Sequence, residues 1–261
     1  MTREDDAEPK KVNRRALLKL VGAGAATGVL PLSGDAAEDS GKGMHHPAAK
    51  PIDPAIEPPP VYRFFNGDEA AFIESVVDTF IPADDVGPGA LELGIATFID
   101  GQLNLGYGRG DRMYLQGPFI EGTPEQGYQL RMTPSELVHN GILDLNAYLR
   151  EKHKTTFDGL SNHDRVAVLT QLEKRDIQLP TVPTGVFFNL LYDLTMQGYF
   201  ADPLYGGNKD FIGWKMIGFP GVRYNWLPWL DHEGEPIDLP IVGMYGTAES
   251  YGARMRKGRG P

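Results

Sequence analysis

Apolar residues recur at helical spacing in five separate stretches of the chain. Phe72, Ile73, Val76, Val77 and Phe80 lie three or four positions apart, the interval that gathers side chains on one face of an α-helix. Asn66 or Asp68 can cap this helix, and Pro82, with no N–H to donate, ends it. A second helix is expected from about 91 to 103, with Ile95, Phe98 and Ile99 on its inner face. Thr133-Pro134-Ser135-Glu136 has the form of a capping box with proline in the first turn. The helix it opens carries Val138, Ile142, Leu145, Tyr148 and Leu149. Ser161 starts a fourth, with Val166, Leu169 and Leu172 facing inward, and a fifth spans about 186 to 199 with Phe187, Leu190, Leu191 and Leu194. No alternating run bounded by hairpin turns stands out, and no internal repeat is detectable, so the expected class is mainly α.

Two regions break the helical pattern. Residues 106–131 are glycine-rich and mixed. From Ala201 onward glycine, proline and aromatics dominate, and all three tryptophans fall between 214 and 229. Residues 61–261 therefore read as one irregular helical domain with long Gly-, Pro- and aromatic-rich loops. Large aromatics on irregular backbone either pack over their own core or meet another protein. On the second alternative the partner-binding candidates are Tyr205, Gly206, Gly207, Asn208, Trp214, Phe219 and Pro220.

The N-terminal part is of another kind. Asn13-Arg14-Arg15-Ala16-Leu17-Leu18-Lys19 precedes a weakly apolar run rich in Gly and Ala that ends near Leu32. Arg14, Arg15, Leu17, Leu18 and Lys19 in that order have the layout of a twin-arginine export signal, with Leu17 where an aromatic is usual. The run is shorter than the ~20 apolar residues that span a bilayer. Residues 1–36 are thus expected to be a signal peptide, cleaved after Ala36 or Ala37. Residues 37–60 form a linker, with Pro47, Pro51, Pro54, Pro58, Pro59 and Pro60 favouring extended backbone. His45-His46 within it is read as a solvated pair, and Arg254, Arg256, Lys257 and Arg259 as a solvated basic terminus.

Composition narrows the function classes. Hydrophobic residues make up 41% of the 261 positions, enough for a packed core. Asp and Glu number 35 against 25 Lys and Arg, a net charge of −10, which argues against nucleic acid as a partner. There is no cysteine, so disulfides, thiolate metal clusters and covalent c-type haem attachment are chemically excluded. Twin-arginine export carries folded proteins, commonly because a cofactor is inserted first. In a chain with no evident cofactor motif, such a signal fits a cofactor-bearing partner that travels docked to it.

Candidate chemistry is sparse. Glu136 and His139 share a helix face at the spacing of a di-iron bundle ligand pair, but no second Glu-x-x-His exists to complete that site. Glu136 is equally explained as the capping partner of Thr133. Gly22-Ala23-Gly24 and Gly106-Tyr107-Gly108-Arg109-Gly110 lack the strand, offset and helix of a dinucleotide fingerprint. No nucleophile elbow, phosphate loop or zinc motif occurs. No catalytic, cofactor-binding or metal-ligating residue is therefore assigned. A stand-alone metalloenzyme built on Glu136 and His139, or an exported protein whose aromatics stack on sugars, are the competing readings.

Several stretches resemble a known family, the gluconate 2-dehydrogenase subunit 3 (small or gamma subunit) family. They are the Arg14-Arg15 signal, the helix ending Phe80-Ile81-Pro82, Gly117-Pro118-Phe119, and Gly127-Tyr128-Gln129-Leu130 running into Thr133-Pro134-Ser135-Glu136-Leu137. The most specific is Asp202-Pro203-Leu204-Tyr205-Gly206-Gly207-Asn208 with Gly213-Trp214 and Gly218-Phe219-Pro220-Gly221. The resemblance implies a non-catalytic subunit of an exported, FAD-dependent gluconate or sugar dehydrogenase complex. It implies as partners a large FAD-binding dehydrogenase subunit, a cytochrome c subunit carrying haem, and the twin-arginine translocase that reads the signal. It also implies a periplasmic or otherwise extracytoplasmic location, with membrane association through the partner subunits.

Overall fold

The structure is a computed structural model that describes residues 60–251 apart from 121, 124, 125, 127, 233, 236 and 238. The expected signal, with Arg14, Arg15, Leu17, Leu18 and Lys19, lies outside the described residues, as do the linker up to residue 59 and the basic terminus. The architecture is helical. Helix α1 is Gly67–Phe80, α2 Ile95–Asn104, α3 Pro134–Lys152, α4 Asn162–Glu173, α5 Thr184–Phe200 and α6 Ile212–Ile217. Among the described residues β-structure is limited to isolated bridges at 84/87, 221/242 and 243/246. No helix among them is long and apolar enough to cross a membrane.

Local chemistry sets the helix starts. Asn66 Oδ1 accepts from the N–H groups of Asp68 and Glu69, while the Glu69 carboxylate accepts from Asn66 N–H, so α1 opens on a reciprocal capping box. Thr133 and Glu136 do the same for α3, and Ser161 caps α4. Each such cap is worth about 1 kcal/mol against alanine. Asp100 on α2 is buried, and its carboxylate accepts from the backbone N–H groups of Arg63, Phe64 and Phe65. A buried carboxylate survives only with such partners, and here they pin the entering chain to α2.

Helix α5 is the hub, packed against α1, α2, α3 and α4. Its Phe187 reaches Phe72 of α1 at 6.5 Å between centroids, and Phe72 meets Phe157 at 5.2 Å. All three rings are buried, so one apolar core runs between the five long helices.

Two sequence expectations need correction. Helix α2 begins at Ile95 and not near Leu91, because Gly94 sits at φ +77° and breaks the helical path just before it. Leu91 is exposed as a result. On α4 Val166 points to solvent, and Val168 takes its inward place beside Leu169 and Leu172. The helix is set in rotation by its packing on α1 and α5, which the apolar count of one short helix cannot specify.

Candidate functional site

Residues 201–221 fold back over the C-terminal end of α5. An α-helix leaves its last carbonyls without intrahelical donors, and α5 ends without a capping glycine or a backbone cap bond at Ala201. Two side chains supply the donors. Trp214 Nε1 donates to Phe200 O at 2.7 Å, and Asn208 Nδ2 donates to Ala201 O at 2.7 Å. Asn208 Oδ1 in turn accepts from Gly213 N–H at 2.7 Å, which fixes the start of α6. Lys209 N–H donates to Leu93 O and ties the segment to the turn before α2.

The glycines here are spacing devices. A Cβ on Gly207 would sit 2.4 Å from Gly198 O, and one on Gly213 only 2.1 Å from Tyr199 O. The backbone of this segment therefore lies directly on the last turn of α5. Asn208, Asp210 and Phe211 all have positive φ, between 47° and 58°. Such backbone is costly for side-chain-bearing residues and persists only where surrounding contacts over-determine it.

A second latch joins this segment to the C-terminal region. Asp202 Oδ1 accepts from Leu204 N–H and from the Tyr251 hydroxyl at 2.6 Å, and Oδ2 accepts from Met244 N–H at 2.7 Å. Burial, reinforced by the bond to Asp202, pushes the Tyr251 hydroxyl up to about 12. Phe211, Trp214 and Tyr251 form a small aromatic cluster separate from the main core.

This geometry divides the seven partner-binding candidates. Gly207, Asn208, Trp214 and Pro220 are buried within the protein's own packing. Trp214 in particular is spent on capping α5 and stacking near Phe211 and Phe219, so its indole is not a surface anchor. Gly206 is half-buried, and a φ of +98° explains its identity. Tyr205 and Phe219 alone present large side-chain surface.

The Glu136–His139 pair is not assembled either. Glu136 accepts from Thr133 N–H and Oγ1 in its capping box. His139 Nδ1 turns to Glu69 Oε1 on α1, a carboxylate that also caps Asn66. The two side chains are thus committed to different neighbours. Among the described residues no group of three or more His, Asp or Glu is placed to hold a metal ion.

Sequence reasoning missed the Asp202–Tyr251 latch and the His139–Glu69 pair. Asp202 did carry a signal, since Asp before Pro is a frequent opening of a short helical turn, and it caps residues 203–205 here. The His139–Glu69 pair depends on two helices brought together only by the fold.

The sequence model of one protein family, described as gluconate 2-dehydrogenase subunit 3, matches residues 67–221. No curated protein and no solved structure matches the chain. The matched span opens at the first residue of α1 and closes at Gly221, taking in the helical core and the whole segment folded over the end of α5. The chain belongs to the gluconate 2-dehydrogenase subunit 3 family.

Proposed function

We infer that this chain is the non-catalytic small subunit of an exported, FAD-dependent dehydrogenase acting on gluconate or a related sugar, and that it escorts the flavoprotein subunit through the twin-arginine route. Family membership carries this reading, since the family is defined as one subunit of a larger enzyme. The Arg14-Arg15 signal supports the route, and a chain without cysteine cannot itself attach c-type haem, which fits a partner that carries it. In this reading the large subunit holds FAD and oxidises the substrate, and a cytochrome c subunit receives the electrons. The complex works in the periplasm, held at the membrane through the partner subunits.

The test is to replace Arg14 and Arg15 together by lysine and fractionate cells that co-express the flavoprotein subunit. Lysine keeps the charge but not the planar guanidinium. Dye-linked dehydrogenase activity is expected to fall in the periplasm and accumulate in the cytoplasm. Undiminished periplasmic activity in the double variant would overturn the escort role.

A further inference from the structure

Beyond Gly221, where the family match ends, the chain builds a surface of different character. Val222, Tyr224, Leu227, Leu230 and Met244 are all exposed, Tyr224 completely. Of these, Val222, Tyr224 and Met244 share one cleft, and exposed apolar side chains gathered in that way mark interaction sites more often than chance solvent contacts. Residues 222–225 and 242–246 face each other across a cleft of about 370 Å³, joined at its base where Val222 N–H donates to Val242 O at 2.7 Å. Among the described residues the cleft is lined by Val222, Tyr224, Val242 and Met244, with a single cation, Arg223, and no carboxylate.

Arg223 is under-used. Its Nη2 donates to Pro240 O, while its Nε is buried with no acceptor among the described residues. A guanidinium carries five N–H donors in a fork that matches a carboxylate, and a buried donor left without an acceptor is a standing cost. The chain as a whole carries a net charge of −10, so a cation held in an apolar cleft with no acid among the described residues that line it is an unusual local feature.

We propose that this cleft and its apolar rim are a docking surface for a partner protein that presents an acidic side chain to Arg223 and apolar side chains to Tyr224 and Met244. A small carboxylate would answer Arg223 but leave Tyr224 and Met244 in water. A second copy of this chain meeting the same face about a twofold axis would bring another arginine and no acid from the cleft lining. The acidic, apolar segment of a different protein satisfies both features at once. The proposal rests on the reading of the chain as a complex subunit and adds to it the surface used and the chemistry of the partner.

The full-length chain, tagged and co-expressed with the flavoprotein subunit, provides the test. Arg223→Glu and Tyr224→Ser are compared with wild type by the flavoprotein recovered per tagged chain and by amide exchange over residues 222–225 and 242–246. Each variant is expected to lower recovery about tenfold or more, with Arg223→Lys in between, and the wild-type complex is expected to protect both segments. Tyr224 is fully exposed, so its replacement should leave the melting temperature of the isolated chain unchanged. If wild type recovers the flavoprotein and both variants recover it equally, the docking surface lies elsewhere and the proposal fails while the subunit reading stands. If wild type recovers none, the subunit reading falls and the proposal with it. A saturable shift of the Arg223 Nε–H resonance on adding sodium acetate or sodium gluconate, with recovery unchanged in the variants, would make the cleft a small-anion site and overturn the proposal.

Discussion

Asn208 is fully buried with φ at 47°, a backbone region that asparagine tolerates better than most residues. Its amide is one of few side chains that can donate to one carbonyl and accept from another N–H across a turn, here Ala201 O and Gly213 N–H. Trp214 combines a similar polar duty, at Phe200 O, with a large buried ring. The two residues close the end of α5 where a capping glycine would otherwise serve. Because the indole is buried and hydrogen-bonded, Trp214→Ala is expected to act on stability before it acts on any partner. Loss of a buried aromatic costs about 3–5 kcal/mol. The isolated chain carrying Trp214→Ala should therefore melt well below wild type in a thermal scan. An unchanged melting temperature together with lost flavoprotein recovery would return Trp214 to the surface role that its sequence context suggested.

At the level of the helices, close approach decides which glycines matter. On α3, a Cβ added at Gly141 would lie 2.3 Å from the ring of Phe187, itself fully buried on α5. The ring has no room to retreat without opening the core. On α2, a Cβ at Gly101 would meet nothing within 4 Å. The two substitutions should therefore differ in sign. Gly101→Ala gains helix propensity and should stabilise by about 1 kcal/mol. Gly141→Ala gains the same propensity but overpacks the α3–α5 contact, at a cost of about 1–3 kcal/mol, and should come out destabilising. Denaturant melts of the two variants decide the matter, and equal shifts would show that the helices part freely at Gly141. The helices themselves were legible in the sequence because their signals are local: Asn66, Thr133 and Ser161 cap within three residues, and apolar spacing marks each inner face. Segment 201–221 was not legible in the same way. Its glycines answer to the carbonyls of Gly198 and Tyr199, and Asp202 answers to Met244 and Tyr251 more than forty residues away. Aromatic content there was compatible with self-packing or with an interface, and much of the segment covers the end of the protein's own central helix.

At the largest scale, the described residues combine a helical body, a cover over the end of α5, and a C-terminal segment latched by Asp202 that carries the apolar cleft around Arg223. In that division the body supplies rigidity, and the part beyond the family match is where a subunit can become specific to its own complex. The helical body offers its buried carboxylates to itself, Asp100 to three backbone N–H groups and Glu69 to Asn66 and His139, and the exposed Glu136 caps Thr133. Ionisable groups so committed hold the structure. With no cysteine in the chain, covalent c-type haem and thiolate clusters cannot form on it. The chain expressed alone is therefore expected to purify colourless and to show no dye-linked oxidation of gluconate, glucose or fructose. Co-expression with the flavoprotein subunit is expected to give a yellow, active complex in which this chain is present in fixed ratio. Mixing the two after separate purification tests whether docking must accompany maturation of the flavoprotein, and activity is expected to be lower than on co-expression. A stoichiometric flavin or haem absorbance band from the chain by itself would place the redox centre here, and the escort assignment would then have to give way to a catalytic one.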